Sequence, residues 1–249
     1  MNEAQGHLVR PDGGRLAWRR VAGAGPSVLW LSGYRSDMTG TKAEALAAWA
    51  AREGRGFLRF DYFGHGESSG DFPAGSISRW RDDALAMVDE LTEGGLVLVG
   101  SSMGGWIACL AALARPERVR AMALIAPAAD FTQALIEPGL DPDARAALAA
   151  DGVWHRPSDY GDADPISRAF LEDGARWSIL PGPVPIDVPV RILQGGRDAA
   201  VPWAHALTLA QALTSDDVVF TLVKDGDHRL SRDQDIARLV ATVAELVAD

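Results

Sequence analysis

The chain has 249 residues, of which 34 are acidic and 24 are basic, so its formal net charge at pH 7 is −10. That length suits one large α/β domain with a well-buried core, and the negative charge argues against nucleic acid or an anionic membrane as the main partner. A single cysteine, Cys109, excludes an intramolecular disulfide and indicates a reducing compartment.

Residues 1–6 lack the basic and apolar regions of a signal peptide, and no transit segment follows them. The longest apolar stretches, such as 121–129, fall short of the roughly 18 residues that a membrane-spanning helix needs. We therefore expect a cytoplasmic protein without stable membrane insertion. We also expect Cys109 to be a small buried side chain that packs like an apolar residue.

Short β-rich runs alternate with helical patterns, as in a mostly parallel sheet that is covered by helices on both faces. The chain opens with a predicted hairpin, 7–10 and 16–21, across the Gly-rich turn Asp12-Gly13-Gly14. Six further strands are predicted over 28–31, 56–60, 96–99, 119–125, 190–193 and 218–223. Apolar residues at helical spacing predict helices over 41–52, 76–91, 106–114, 203–213 and 235–247.

This regular alternation stops between about residues 128 and 187, where prolines punctuate short helical pieces rather than another strand and helix. The region precedes the strand at 190–193, and such a position allows it to cover the carboxyl ends of the strands, where α/β sheets bind ligands. We expect one α/β domain over 1–249, with an eight-stranded sheet and a small helical cap inserted at about 128–187.

The apolar run Leu96 to Val99 leads into Gly100-Ser101-Ser102-Met103-Gly104, and a helical pattern follows. This is the G-x-S-x-G elbow, in which a strained turn between a strand and a helix presents the serine hydroxyl. The alternative is a plain tight turn. The pattern is short, so the elbow interpretation depends on the strand before it and the helix after it. We predict Ser102 to be a nucleophile.

A serine nucleophile needs a base within hydrogen-bond distance and an acid that orients the base. In this arrangement the order along the chain is serine, acid, histidine, which leaves His155, His205 and His228. His228 follows the last predicted strand and belongs to the ligand-binding edge of the sheet. We predict His228 to be the base, because packing accounts for the other two histidines.

The acid is predicted at Asp198, in a Gly-rich loop that follows the strand at 190–193 and exits through Val201-Pro202. The alternative is a structural role, in which the Asp198 side chain accepts hydrogen bonds from loop amides only. The chief rival for the catalytic role is Asp130, which follows the strand that ends near Ile125 and approaches from the neighbouring strand.

Acyl transfer also needs donors for the developing oxyanion. The elbow supplies the backbone amide of Met103, and the loop after the third strand supplies the amide of Tyr34, with Arg35 as the next choice. Ordinary turn chemistry at Gly33 is the alternative.

The stretch Gly64 to Gly70 also follows a strand, but its glycine spacing is wrong for a dinucleotide-binding loop, and no G-K-[ST] sequence occurs. The histidines and the cysteine show no metal-ligand spacing. We predict no cofactor and no metal.

With these residues in place, the whole chain resembles the α/β-hydrolases. The stretches that carry this resemblance are Gly33-Tyr34, Asp61 through Ser68, the elbow around Ser102, Asp198 through Val201-Pro202, and Asp227-His228. More narrowly, the chain is similar to the animal mitochondrial palmitoyl-protein thioesterases that are also mycophenolic acid acyl-glucuronide esterases. That similarity rests on Gly40 to Ala43, Arg59 to Tyr62, Trp80-Arg81, Val99 to Trp106, Ala114 to Glu117, Gly152 to Trp154, Val201 to Trp203 and Asp227 to Arg229.

The resemblance implies that Ser102, Asp198 and His228 form a triad, and it implies acylated substrates. Two features depart from the family. Gln194-Gly195 stands where relatives usually have His-Gly, a difference that we expect to affect packing only. The missing transit segment predicts a bacterial-type relative with its own natural substrates.

The residues and the resemblance together predict a serine hydrolase that cleaves carboxylic esters or thioesters through an acyl-enzyme. Its partner is expected to be a small-molecule or acylated substrate, and the sequence does not indicate an oligomeric state. Three tryptophans are candidates for the walls of the acyl pocket, with core or cap packing as the alternative: Trp106, Trp154 and Trp203. The competing functions are a serine peptidase or C–C bond hydrolase on the same fold, and a non-catalytic ligand-binding relative.

Overall fold

A computed structural model of the chain describes residues 3–157 and 163–248. Its main sheet has eight strands, which are β1 (Glu3–Val9), β2 (Arg15–Val21), β3 (Ala24–Leu31), β4 (Arg55–Phe60), β5 (Leu96–Ser101), β6 (Val119–Ile125), β9 (Val190–Gly195) and β10 (Val218–Val223). The spatial order is β1-β2-β4-β3-β5-β6-β9-β10. Two further strands, β7 (Val153–Arg156) and β8 (Asp164–Ser167), form a separate antiparallel hairpin.

Most of the main sheet is parallel. β1 pairs antiparallel with β2, and β2 pairs antiparallel with β4. From β4 to β10 every neighbouring pair is parallel. β5 is apolar and buried along its length because both faces of the sheet are covered. The predicted mostly parallel α/β sheet is confirmed.

The helices lie on both faces of the sheet. They are α1 (Thr41–Glu53), α2 (Ile77–Leu91), α3 (Met103–Ala114), α4 (Pro142–Ala150), α5 (Arg168–Ala175), α6 (Trp203–Ala212) and α7 (Asp233–Val247). Leu46 of α1 and Val243 of α7 belong to one core cluster, whereas Trp80 of α2 and Ile107 of α3 belong to another. Within the described parts of the chain, no helix combines the length and the apolar character needed to span a membrane.

The segment between β6 and β9 differs from the prediction of helical pieces alone. It contains α4, α5, a π-helical turn at Thr132–Ile136 and a short 3₁₀ turn at Glu137–Gly139, but also the β7–β8 hairpin. Each strand of this hairpin has only four residues, so neither presents a clear period-two pattern. The sequence analysis predicted the helical pieces of this segment but not its hairpin.

Asp61 stabilises the loop that sequence spacing excluded as a nucleotide site. The carboxylate is buried and accepts hydrogen bonds from the Met38 amide at 2.7 Å and the Glu67 amide at 2.8 Å. Ser68 Oγ donates to the Asp61 carbonyl at 2.6 Å. These bonds hold the two ends of the 61–68 loop together and join it to the residues after β3. A Cβ atom at Gly66 would come within 2.1 Å of Asp61 Oδ2, so local packing accounts for this glycine.

Candidate active site

Three parallel strands bring the predicted site residues to one edge of the sheet. Ser102 follows β5 directly, Asp198 lies in the loop after β9, and His228 lies in the loop after β10. Because the carboxyl ends of parallel strands share one edge, residues far apart in sequence converge there. The fold explains why these three positions meet.

Ser102 occupies a strained turn. Its backbone angles, φ 55° and ψ −120°, lie in a region that residues other than glycine rarely adopt. Gly104 lies where a Cβ atom would come within 2.0 Å of the Leu31 carbonyl oxygen, so the first turn of α3 packs against the end of β3 only without a side chain. This is the geometry of a nucleophile elbow.

A continuous hydrogen-bond chain joins the three side chains. His228 Nε2 lies 3.1 Å from Ser102 Oγ, and His228 Nδ1 lies 2.8 Å from Asp198 Oδ2. The Asp198 side chain is fully buried, whereas the His228 side chain is about one-fifth exposed. With Nδ1 protonated, the ring donates to the carboxylate and presents a lone pair at Nε2 to the hydroxyl. This arrangement suits general-base activation of the serine.

The surrounding loops hold Asp198 as a hydrogen-bond acceptor. Its Oδ1 accepts from the amides of Ala200 at 2.9 Å and Val201 at 2.8 Å. A Cβ atom at Gly195 would come within 2.3 Å of the Asp227 carbonyl oxygen, so the glycine allows the loops after β9 and β10 to approach closely. The carboxylate is thereby fixed beside the imidazole.

Lys42 of α1 anchors the loop that carries His228. Its Nζ donates to the Arg229 carbonyl at 2.6 Å and to Ser231 Oγ at 3.4 Å. Burial lowers the pKa of Lys42 to about 8. The two bonds connect the first turn of α1 to the residues just after the histidine.

The rival candidates have other partners. Asp130 accepts from Ser178 Oγ at 2.6 Å and from the Leu180 amide at 2.8 Å, so it stabilises the chain that follows α5. His205 Nε2 lies 2.8 Å from the Ala129 carbonyl oxygen. His155 is an exposed residue of β7. None of these contacts involves Ser102.

Both predicted oxyanion donors border the same cavity as Ser102. Met103 is the first residue of α3, so its amide has no acceptor within the helix. Tyr34 follows β3, and its hydroxyl donates to the Pro165 carbonyl at 3.3 Å. Burial raises the pKa of this hydroxyl, which keeps it neutral. The side chain is thus engaged with β8, and only its backbone amide remains a candidate donor.

The cavity at Ser102 has a volume of about 460 Å³, within the range of small-molecule sites. One part of its wall is apolar and includes Phe131, Leu135 and Ile136. Another part is polar and comprises Arg35, Lys42, Arg156, Asp164 and Arg229. Sequence reasoning missed the contribution of Arg156 and Asp164, because both belong to the unpredicted β7–β8 hairpin.

The tryptophans predicted as pocket candidates lie elsewhere. Trp106 is fully buried, and its Nε1 donates to the Trp177 carbonyl at 3.3 Å. Trp154 packs partly buried against the main core, and Trp203 is 46% exposed. None of the three is among the described residues that line the cavity. Aliphatic residues and Phe131 supply its apolar wall instead.

Gln194 was expected to affect packing only, but it also contacts the predicted acid. The side chain is fully buried, and its Nε2 lies 3.1 Å from Asp198 Oδ2. The sequence signal was a polar residue near the end of a buried parallel strand, four positions before the acid.

The known proteins to which the chain is similar include several that are hydrolases by name. A family model described as serine aminopeptidase, S33, matches residues 26–159. The chain is 37% identical over 242 residues to the mitochondrial palmitoyl-protein thioesterase ABHD10 of Rattus norvegicus, a match that covers 96% of this chain and 81% of the relative.

Two solved structures are similar over nearly the whole chain. A candidate hydrolase from Agrobacterium vitis S4 is 44% identical, with a TM-score of 0.96 and coverage of 99% of this chain and 100% of the other. The α/β-hydrolase domain-containing protein 10 from mouse is 36% identical, with a TM-score of 0.91 and coverage of 98% of each chain.

Proposed function

This chain belongs to the serine aminopeptidase S33 family of α/β-hydrolases and is a serine hydrolase of esters or thioesters, and on that premise we propose that it works through a triad of Ser102, His228 and Asp198. The observation that carries the proposal is the His228 imidazole, whose two nitrogens lie within hydrogen-bond distance of Ser102 Oγ and Asp198 Oδ2.

The first half of the proposed reaction forms an acyl-enzyme. His228 Nε2 takes the Ser102 hydroxyl proton as Oγ attacks the acyl carbonyl carbon, and Asp198 stabilises the resulting imidazolium. The backbone amides of Met103 and Tyr34 donate to the oxyanion of the tetrahedral intermediate. The intermediate collapses as the bond to the leaving group breaks, and His228 returns the proton to the departing alcohol or thiol.

The second half restores the enzyme. His228 takes a proton from water, whose oxygen attacks the acyl carbon of the Ser102 ester. Collapse of the second tetrahedral intermediate releases the carboxylic acid and returns a proton to Ser102 Oγ. A thiol has a pKa of about 8.5, so a thiolate leaves with less acid assistance than an alkoxide. Thioesters therefore place a smaller demand on His228.

The segment at about 128–187 is proposed to act as a cap. It contributes Phe131, Leu135 and Ile136 to the apolar wall of the cavity. Arg35 Nη1 lies 3.1 Å from Asp164 Oδ1, which joins the loop after β3 to the hairpin of this segment. A cap held in this way shields the acyl group from water during the reaction.

The rat relative is named a palmitoyl-protein thioesterase, and we propose an acylated substrate for this chain as well. The apolar wall at Phe131, Leu135 and Ile136 supports an acyl chain in that part of the cavity. Cytoplasmic location stays a prediction, because the rat relative is described as mitochondrial.

Aminopeptidase activity, the function in the family description, has less support. An aminopeptidase must bind the free α-ammonium group of its substrate, and a carboxylate forms the strongest hydrogen bond with such a group. Among the described residues that line the cavity, Asp164 is the one carboxylate. Arg35 and Arg156 bind its two oxygens at 3.1 Å and 2.7 Å. The part of the cavity wall that the structure describes therefore favours an acyl ester or thioester over an amino-terminal peptide.

Hydrolysis assays on graded substrates test this proposal. We expect the native enzyme to cleave p-nitrophenyl esters and acyl thioesters, and to cleave aminoacyl p-nitroanilides far more slowly. Ser102→Ala should lower kcat for both ester classes by at least about a thousandfold, because it removes the nucleophile. Preferred cleavage of the anilides, or unchanged ester hydrolysis by Ser102→Ala, would contradict the proposal.

A further inference from the structure

Gln194 contacts the buried acid of the proposed triad. It belongs to β9, and no part of its side chain is exposed. Its Nε2 lies 3.1 Å from Asp198 Oδ2, the same oxygen that lies 2.8 Å from His228 Nδ1. Nε2 also lies 3.0 Å from the Val201 carbonyl oxygen. The amide therefore joins the carboxylate to the far end of its own loop.

The surroundings determine the orientation of the amide. Three oxygen atoms lie within hydrogen-bond distance of Nε2, the third being the Gly195 carbonyl oxygen at 3.2 Å. A reversed amide would put Oε1 against the same three acceptors without any hydrogen to share, so the nitrogen must occupy this position.

The opposite end of the amide differs from Nε2 in its surroundings. Gln194 Oε1 is buried and has no hydrogen-bond partner among residues 3–157 and 163–248. A buried polar atom without a partner destabilises the fold, whereas an apolar side chain of the same shape avoids that penalty. The hydrogen bond from Nε2 to the Asp198 carboxylate is a contribution that an apolar side chain would not make.

We propose that Gln194 is a positioning residue for the hydrolase reaction, which fixes Asp198 Oδ2 in line with His228 Nδ1 and moderates the charge on that oxygen. The proposal rests on the proposed triad. A second donor on Oδ2 restricts rotation of the carboxylate and withdraws electron density from it. The carboxylate then orients the imidazole but raises the proton affinity of the imidazole only moderately. This matters because the base must release the proton again later in the reaction.

Gln194→Met tests the role directly, because methionine keeps the length and shape of the side chain but has no N–H donor. Ile192→Val is the control, since Ile192 is a fully buried residue of the same strand that loses one methyl group. The measurements are thermal unfolding, kcat and KM for a neutral p-nitrophenyl ester, and the pH profile of kcat/KM.

We expect Gln194→Met to lower kcat about tenfold, the effect of one lost hydrogen bond to a charged group, with KM nearly unchanged. The acid limb of kcat/KM should move to higher pH, because the less moderated carboxylate holds the proton on His228 more strongly. The neighbouring charged groups Asp227, Arg229 and Lys42 are unchanged in the variant. Ile192→Val should lower stability but leave the acid limb in place.

An unshifted acid limb with native kcat in Gln194→Met would overturn the proposal, as would an equal loss of kcat in Ile192→Val. If the methionine variant does not fold, Gln194→His carries the test, because its ring retains an N–H donor. That variant should keep kcat within about threefold of the native value, and a loss of more than tenfold would overturn the proposal. Failure of the triad itself is recognised separately, by ester hydrolysis that survives in Ser102→Ala.

Discussion

Two buried aspartates follow neighbouring strands of the sheet, and their hydrogen bonds separate their roles. Asp198 accepts from the backbone of its own loop and from Gln194, and its remaining contact is with His228. Among the described residues, the Asp130 carboxylate accepts from the chain after α5, through Ser178, Ile179 and Leu180. We therefore propose that Asp198 orients the base, whereas Asp130 stabilises a connection between elements.

Asp198→Asn should lower kcat by about three to four orders of magnitude, because an asparagine amide facing His228 Nδ1 favours the tautomer that cannot accept the Ser102 proton. Asp130→Asn should lower the melting temperature and leave kcat near the native value. Steady-state kinetics and thermal unfolding of both variants check this. A larger kcat loss in Asp130→Asn would show that the acid had been assigned to the wrong strand.

Sequence reasoning reached Ser102, Asp198 and His228 because each follows a predicted strand in the order that the elbow requires. It did not reach the contact between Gln194 and Asp198, since hydrogen-bond direction inside a packed loop depends on three-dimensional closure. It left two roles open for the tryptophans, cavity wall or packing, and Trp106 is a core residue beside Phe131. Large aromatic side chains are as easily buried as they are exposed in a pocket.

At the level of secondary structure, the elbow depends on close contact between β3 and the first turn of α3. The predicted helix began at Trp106, but α3 begins at Met103. Glycines at 104 and 105 lower helix propensity and hid this first turn. The earlier start places the Met103 amide at the helix terminus, where it is available as a donor.

Gly104→Ala tests this contact. The added Cβ would come within 2.0 Å of the Leu31 carbonyl oxygen, so β3 and α3 must separate. We expect the free energy of unfolding to fall by about 3 kcal/mol. Ester hydrolysis should fall sharply, because the two proposed oxyanion donors then move apart. Gly139→Ala is the matched control, because a Cβ there meets nothing within 4 Å. Denaturant unfolding should find the control within about 0.5 kcal/mol of the native protein, and equal losses in both variants would contradict the account.

The β7–β8 hairpin marks the limit of prediction at this scale. Its pairing joins Val153 to Ser167 across a connection that includes residues outside the described parts of the chain. Strands this short gain their stability from packing on the rest of the molecule, here through Tyr34 and Arg35. Local sequence patterns do not carry that information.

For the molecule as a whole, the sheet was predictable because its central parallel strands are largely apolar runs separated by segments of helical periodicity. The pKa values of interior groups were not predictable from the sequence, because they depend on which polar groups become buried. His65 illustrates this: it is 4% exposed and lies against the rings of Tyr62, Phe72 and Trp80. Burial lowers the pKa of His65 to about 4.

This histidine should make the fold sensitive to acid. Between pH 6.5 and 4 the unfolded chain binds a proton at His65 that the folded protein does not, so stability falls as the pH falls. His65→Phe should remove about 2 kcal/mol of the stability loss between pH 7 and pH 5. The exposed His7 is the control, and His7→Gln should leave the loss unchanged. Urea unfolding at both pH values measures this, and an undiminished loss in His65→Phe would refute it.

The central claim is that Ser102 is the nucleophile of a working hydrolase, and covalent labelling by a fluorophosphonate tests it most directly. The phosphonyl group reacts with a serine that an adjacent base activates. We predict one adduct per chain by intact mass, mapped to Ser102 by peptide sequencing, and no adduct in Ser102→Ala. A native protein that is not labelled, or labelling that is undiminished in Ser102→Ala, would contradict the account.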